Sequence, residues 1–230
     1  RFAADLGLAR GRIAAVVPRD GAGPGLANGP VLDATGLIVA PGFVDFHSHA
    51  DWILPLPDHD AILAPLLLQG VTTLVTGQCG FSPAPVTDAS IPAVDPFSEE
   101  MRDRDCPYRW RSMAEFLSVL EADGLLLNAA FLVGHGTLRL AVLGPEPRAP
   151  TSAELATLGR LVRQALDEGA FGLSAGLAYA PGIFAQNDEL LPLFRAAAEG
   201  GGLVTVHGRA YSWVSALYRP MIGGTAHNIR

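Results

Sequence analysis

The sequence predicts an α/β protein: a partial (β/α)8 TIM-like barrel, about its first five strand–helix units, preceded by part of a small β-sandwich. Three observations carry that expectation. From residue 37 onward, short and near-continuously apolar runs alternate with longer stretches of helical apolar spacing, the pattern of a parallel sheet covered by helices. Residues 1–36 break that rhythm with short apolar runs and clustered glycine and proline. His47, His49, Cys79, His135, Ser174 and His207 fall at or just past the C-terminal ends of successive predicted strands, which converge on one face in a barrel. A doubly wound sheet would spread them along an edge, and the first strand is followed by Pro41-Gly42 and a histidine pair instead of a glycine-rich phosphate loop.

Taken in order, residues 3–8 and 12–17 read as two short strands broken by Gly7 and Gly11, and the glycine-rich stretch from Asp20 closes this β piece. The predicted barrel, residues 37–230, has strands at 37–47, 71–76, 129–133, 172–174 and 203–207. Helices are predicted between them at 60–69, 113–122, 152–168 and 187–199, with Ser152 and Asp188 as N-caps and Gly169 and Gly200 just past helix ends. About five units are visible against the eight of a closed barrel, and the chain opens at Arg1 without Met, so truncation at both ends is expected.

Composition narrows the function classes. The 230 residues are 49% hydrophobic and 17% charged, which fits a globular core and excludes a disordered chain. A net charge of −7 without a basic cluster argues against nucleic acid or an anionic membrane as partner, and no apolar run approaches the ~20 residues of a span. Two cysteines make no disulfide framework; a cytoplasmic location is expected, with a lost signal peptide left open.

Four residues stand out as metal-ligand candidates. His47 and His49 lie two apart, so on a strand both imidazoles point to one side, and neutral imidazole suits zinc. Cys79 lies between Gly77 and Gly80, which permit a tight backbone beside a bound centre; thiolate is a strong zinc ligand, and a buried inert cysteine is the alternative. His207 closes the last apolar strand as a further ligand. Arg209 can hold a substrate carboxylate bidentately or serve as a surface charge. His135, flanked by glycines, faces substrate or is structural, and Tyr179 and Phe81 line a pocket or belong to the core. His59, His227 and Cys106 receive no role.

The segment Pro-Gly-Phe-Val-Asp-x-His-x-His at 41–49 resembles the signature of the metal-dependent amidohydrolases. Gly-Gln-Cys-Gly-Phe-Ser-Pro-Ala-Pro at 77–85, Val-Gly-His-Gly-Thr-Leu-Arg at 133–139 and the glycine-rich run at 169–182 narrow the resemblance to the N-acyl-D-amino-acid deacylases, over almost the whole chain. The chain contains no lysine, so a carbamylated-lysine bridge is impossible within it and Cys79 is the unusual ligand available. The resemblance implies a zinc-dependent hydrolase acting on small-molecule N-acyl-D-amino acids. Cys79 and His207 would then hold a tight zinc, and His47 and His49 a second, weaker position. It also implies a later ligand His and a general-base Asp beyond Arg230, and an inactive, poorly soluble fragment when the chain stands alone. The stretch after His207 departs from the family pattern, which leaves hydrolysis of another amide, cyclic imide or dipeptide as an alternative, beside a non-catalytic scaffold.

Overall fold

A computed structural model describes residues 2–19, 29–102 and 104–209. His227 lies outside the described residues. The chain divides into two units, Arg1–Pro41 and Gly42–Arg230.

In the first unit, β1 (Ala4–Ala9) and β2 (Arg12–Pro18) pair antiparallel, Ala9 opposite Arg12. The two-residue turn has positive φ at both Arg10 (52°) and Gly11 (71°), the turn type whose twist matches that of the strands it joins. This is the small β piece that the glycine punctuation predicts.

The second unit holds one five-stranded sheet, β3 (Phe43–Asp45), β4 (Val71–Thr76), β5 (Asn128–Gly134), β6 (Gly172–Gly176) and β7 (Leu203–His207), in that spatial order and all parallel. Strand order equal to sequence order, with no reversal, is how a barrel grows; a doubly wound sheet turns back at a switch point. Helices fill the connections: α1 (His59–Leu68), the short α2 (Ile91–Val94) followed by α3 (Met113–Asp123), α4 (His135–Leu143) with α5 (Ser152–Asp167), and α6 (Asn187–Glu199).

The helices form where apolar spacing supplies one buried stripe. In α5 that stripe is Leu158, Gly159, Val162 and Ala165, and in α6 it is Leu190, Leu193, Ala196 and Ala197. Capping boxes start two helices: Ser112 with Glu115 for α3, and Thr151 with Glu154 for α5. The expected caps Ser152 and Asp188 are therefore displaced, because the backbone geometry puts Thr151 and Gln186 at those ends. Between sheet and helices, Trp110 packs on Phe116 (4.8 Å between ring centres) and Phe116 on Phe131 (5.1 Å). Phe116 is fully buried, a contribution of about 1.5–3 kcal/mol for a side chain of that kind.

Two expectations need correction. The first barrel strand pairs only at Phe43–Asp45 and not across 37–47, since its apolar run begins before the chain reaches β4. His135 follows the end of β5 directly, as expected, but it also begins α4, a helix that the glycines at 134 and 136 conceal from a spacing argument.

Candidate functional site

His47 and His49 follow β3, Cys79 follows β4 by three residues, and His207 is the last residue of β7. The ligand atoms of His47, His49 and Cys79 all lie within 4.8 Å of one another. Cys79 Sγ lies 3.3 Å from His47 Nε2 and 3.6 Å from His207 Nδ1, so the thiol sits between the two imidazoles. The His47 and His49 rings meet edge to face at 5.6 Å. Three of the four predicted donors, His47, His49 and Cys79, form one group and His207 lies against Cys79, with the histidine pair on chain just past β3 and not on the strand itself.

The spacing tests whether a metal fits. Bonds of about 2.3 Å to sulfur and about 2.0 Å to nitrogen at a tetrahedral angle place the two donors roughly 3.6 Å apart. The observed 3.3 and 3.6 Å agree with that figure. Burial pushes the His49 and His207 imidazoles below their ordinary pKa, helped by the neighbouring His47, which favours the neutral rings that ligate. Burial pushes the Cys79 thiol up, with Tyr179 opposing and the Asp51 carboxyl adding to the rise. A cation would reverse that preference and leave a thiolate.

The Cys79 loop is held by side chains from distant strands. Cys79 adopts φ +58°, a left-handed conformation that costs a residue with a Cβ roughly 1–2 kcal/mol, between Gly77 (φ +74°) and Gly80 (φ +80°). The fully buried Ser174 accepts from Gly80 N–H at 2.9 Å and donates to Gly77 O at 2.5 Å, clipping the loop on both sides of the cysteine. Tyr179 Oη donates to Cys79 O at 2.7 Å, and Thr137 N–H donates to Gly80 O at 3.2 Å. Gly176 must lack a side chain here, since a Cβ would stand 2.1 Å from Cys79 O.

The substrate-side candidates divide. Tyr179 lies at the cluster, its ring 5.2 Å from that of His207. His135 is fully buried and donates from Nε2 to Glu189 Oε1 at 2.8 Å, while Arg139 grips both oxygens of the same carboxylate at 3.1 and 3.0 Å. Arg209 is 4% exposed and donates to Ile183 O and Ala185 O, which makes it an anchor for that turn. The structure thus places His135 and Arg209 in buried networks and not on an open surface, because each side chain finds partners remote in sequence. Phe81 is core, stacked on Phe97 at 4.5 Å.

Sequence reasoning passed over Glu189 and Asp51, and placed Ser174 at a strand end without giving it a role. Glu189 is an acid on the same face as the buried Leu190 and Leu193, which is the signal that could have found it. Asp51, two residues past His49, is fully buried, and burial pushes its carboxyl up to about 8. Among the described residues no helix is long and apolar enough to cross a membrane.

Residues 30–228 match the model of the family described as "Amidohydrolase family". The chain is 39% identical over 207 residues to a D-aminoacylase of Alcaligenes xylosoxydans xylosoxydans, covering 90% of this chain and 40% of the relative. A crystal structure of D-aminoacylase, described as defining a novel subset of amidohydrolases, superposes with a TM-score of 0.76 at 35% identity, over 90% of this chain and 42% of the other. An N-acyl-D-glutamate deacylase of Bordetella bronchiseptica, solved with zinc and a phosphonate mimic of the tetrahedral intermediate, superposes with a TM-score of 0.72 at 38% identity, over 94% of this chain and 43% of the other. The chain therefore spans about two fifths of the length of these relatives.

Proposed function

The chain belongs to the amidohydrolase family, and from that premise we propose that it forms the zinc-holding part of a hydrolase that cleaves the amide bond of N-acyl-D-amino acids. The observation that carries the proposal is the thiol of Cys79 set between His47 and His207 at metal-donor spacing. The relatives named for D-aminoacylase and N-acyl-D-glutamate deacylase activity supply the substrate class.

In this proposal Cys79 and His207 hold the tighter zinc, and His47 and His49 serve a second, weaker position beside it. When bound, zinc supplies Lewis acidity, bringing the pKa of a water near ~7 and polarising the scissile carbonyl. The protein's own part is to favour the neutral imidazoles of His49 and His207 by burial and to hold the thiol in a fixed direction through the clipped loop. Tyr179, beside His207, faces the bound substrate. Transfer of the water proton to the leaving amine is assigned to an aspartate outside residues 1–230.

The test is zinc content and turnover of N-acetyl-D-amino acids by the full-length protein, with L-isomers as controls and Cys79→Ala beside the wild type. Stoichiometric zinc and D-selective hydrolysis, both lost in the variant, support the proposal. Zinc without D-selective turnover discards the substrate class, and absence of zinc from the wild type discards the metal site.

A further inference from the structure

Three strand ends must meet for the donors to stand as they do, and one buried side chain touches all three. Gln78, next to Cys79 and 1% exposed, donates from Nε2 to Phe46 O at 3.0 Å, and Phe46 is the residue before His47. Its Oε1 accepts from Thr205 Oγ1 at 3.0 Å, two residues before His207 on β7. A backbone carbonyl only accepts, so the amide nitrogen must face Phe46 and the amide oxygen is left for the hydroxyl. The two bonds therefore fix a single orientation of the amide plane.

The segment carrying His47 has little else to hold it. β3 is three residues long, its pairing with β4 shifts register between Phe43 and Val44, and Phe46 itself is 58% exposed. Past Asp45, the segment is tied to the neighbouring chain by Ser48 N–H to Val75 O at 3.0 Å and by the Gln78 amide. On the other side, β7 is laddered to β6 and Leu177 N–H donates to His207 O at 2.9 Å, while the Thr205 hydroxyl supplies the side-chain tie from β7 to the Cys79 loop. Metal–donor distances tolerate only about 0.2 Å, and the Gln78 amide is the link that sets β7 and the His47 segment against the same loop.

We propose that Gln78 is a positioning residue that sets the spacing of the His47, Cys79 and His207 donors by bonding both flanking strand ends through one amide. The inference rests on the metal site proposed above, and goes beyond it in assigning a role to a side chain that touches no metal. Groups that orient ligands typically change metal affinity by about 10–100-fold when removed.

The experiment uses the full-length protein with zinc or cobalt(II) as the probe. Four single variants, Thr205→Val, Thr205→Ser, Gln78→Met and Cys79→Ala, and one double variant are compared with the wild type. Dissociation constants come from chelator competition, and the cobalt form is read by its thiolate-to-metal charge-transfer band. Thr205→Val keeps the shape of the side chain and removes only the hydroxyl, so it tests the bridge even where Gln78→Met does not fold. The expected result is zinc binding weakened about 10-fold or more in Thr205→Val and Gln78→Met, with a shifted or weaker band, and recovery in Thr205→Ser. The Gln78→Met, Thr205→Val double variant should be no weaker than the worse single variant, since both break the same bridge. Wild-type affinity and an unchanged band in Thr205→Val overturn the inference, as does a loss confined to melting temperature. Absence of metal from the wild type, or its retention in Cys79→Ala, refutes the metal site itself, a separate failure.

Discussion

At the scale of single residues, the cluster depends on Cys79 having the left-handed backbone of its two glycine neighbours. Ser174 and Tyr179 offset the strain by satisfying the loop's polar groups on both sides. Protonation states follow from burial: His49 and His207 are pushed toward neutrality, and the Cys79 thiol is pushed toward its protonated form. Zinc binding at neutral pH should then displace a proton from sulfur and none from those two imidazoles. The expected outcome is release of about one proton per tightly bound zinc, with affinity rising about tenfold per pH unit from 7 to 8. Calorimetric titration in buffers of different ionisation enthalpy measures it, and zero release would remove the thiol from the ligand set. The four ligand candidates were legible in the sequence because each stands at a strand end. His135 takes the structural one of its two readings, and Arg209 is buried and not a surface charge. Sequence alone could not decide this, since their partners Glu189 and Ala185 are fixed only by the folded chain.

At the scale of elements, β4, β7 and α6 match their predicted bounds because apolar runs with clean flanks specify them. β3 is shorter than its apolar run, and α4 was hidden by Gly134 and Gly136, whose absent side chains let Gly80 O and Phe81 approach. Glu189 joins α6 to α4 through His135 and Arg139, all three nearly or fully buried. Removing its charge by Glu189→Leu leaves a buried guanidinium without its carboxylate. That change should cost about 3–5 kcal/mol in urea unfolding. A loss below about 1 kcal/mol would show that Arg139 is satisfied by the Pro181 and Arg148 carbonyls to which it also donates.

At the scale of the whole molecule, five parallel strands in sequence order mark the barrel class. The alternation of runs made the parallel sheet legible, and the polar residues at the strand ends made the barrel legible. What the alternation does not reveal is how the rim strands differ from the central ones. β6 is buried throughout, whereas Phe43, Val44, Leu203 and Val206 on β3 and β7 are each 47–61% exposed. Among the described residues β3 and β7 are the edges of the sheet, and exposed apolar edges recruit further strands. The 230-residue chain expressed by itself should therefore self-associate at micromolar concentration and bind a hydrophobic dye. A monodisperse monomer by light scattering, dark to the dye, would contradict this.

The contacts that shape the cluster also bear on the order of events during folding. The Gly80–Ser174 bond joins residues 94 apart in sequence, the Gln78–Thr205 bond residues 127 apart, and the Cys79–His207 contact residues 128 apart. Such closures are entropically unfavourable and come only with the strands that bring their ends together. The donor set does not exist on the nascent chain until β7 has joined the sheet, so early β units offer zinc no complete binding place. Capture of a metal by the proposed site would in that sense be a late event, open to chains that have already assembled the right neighbours.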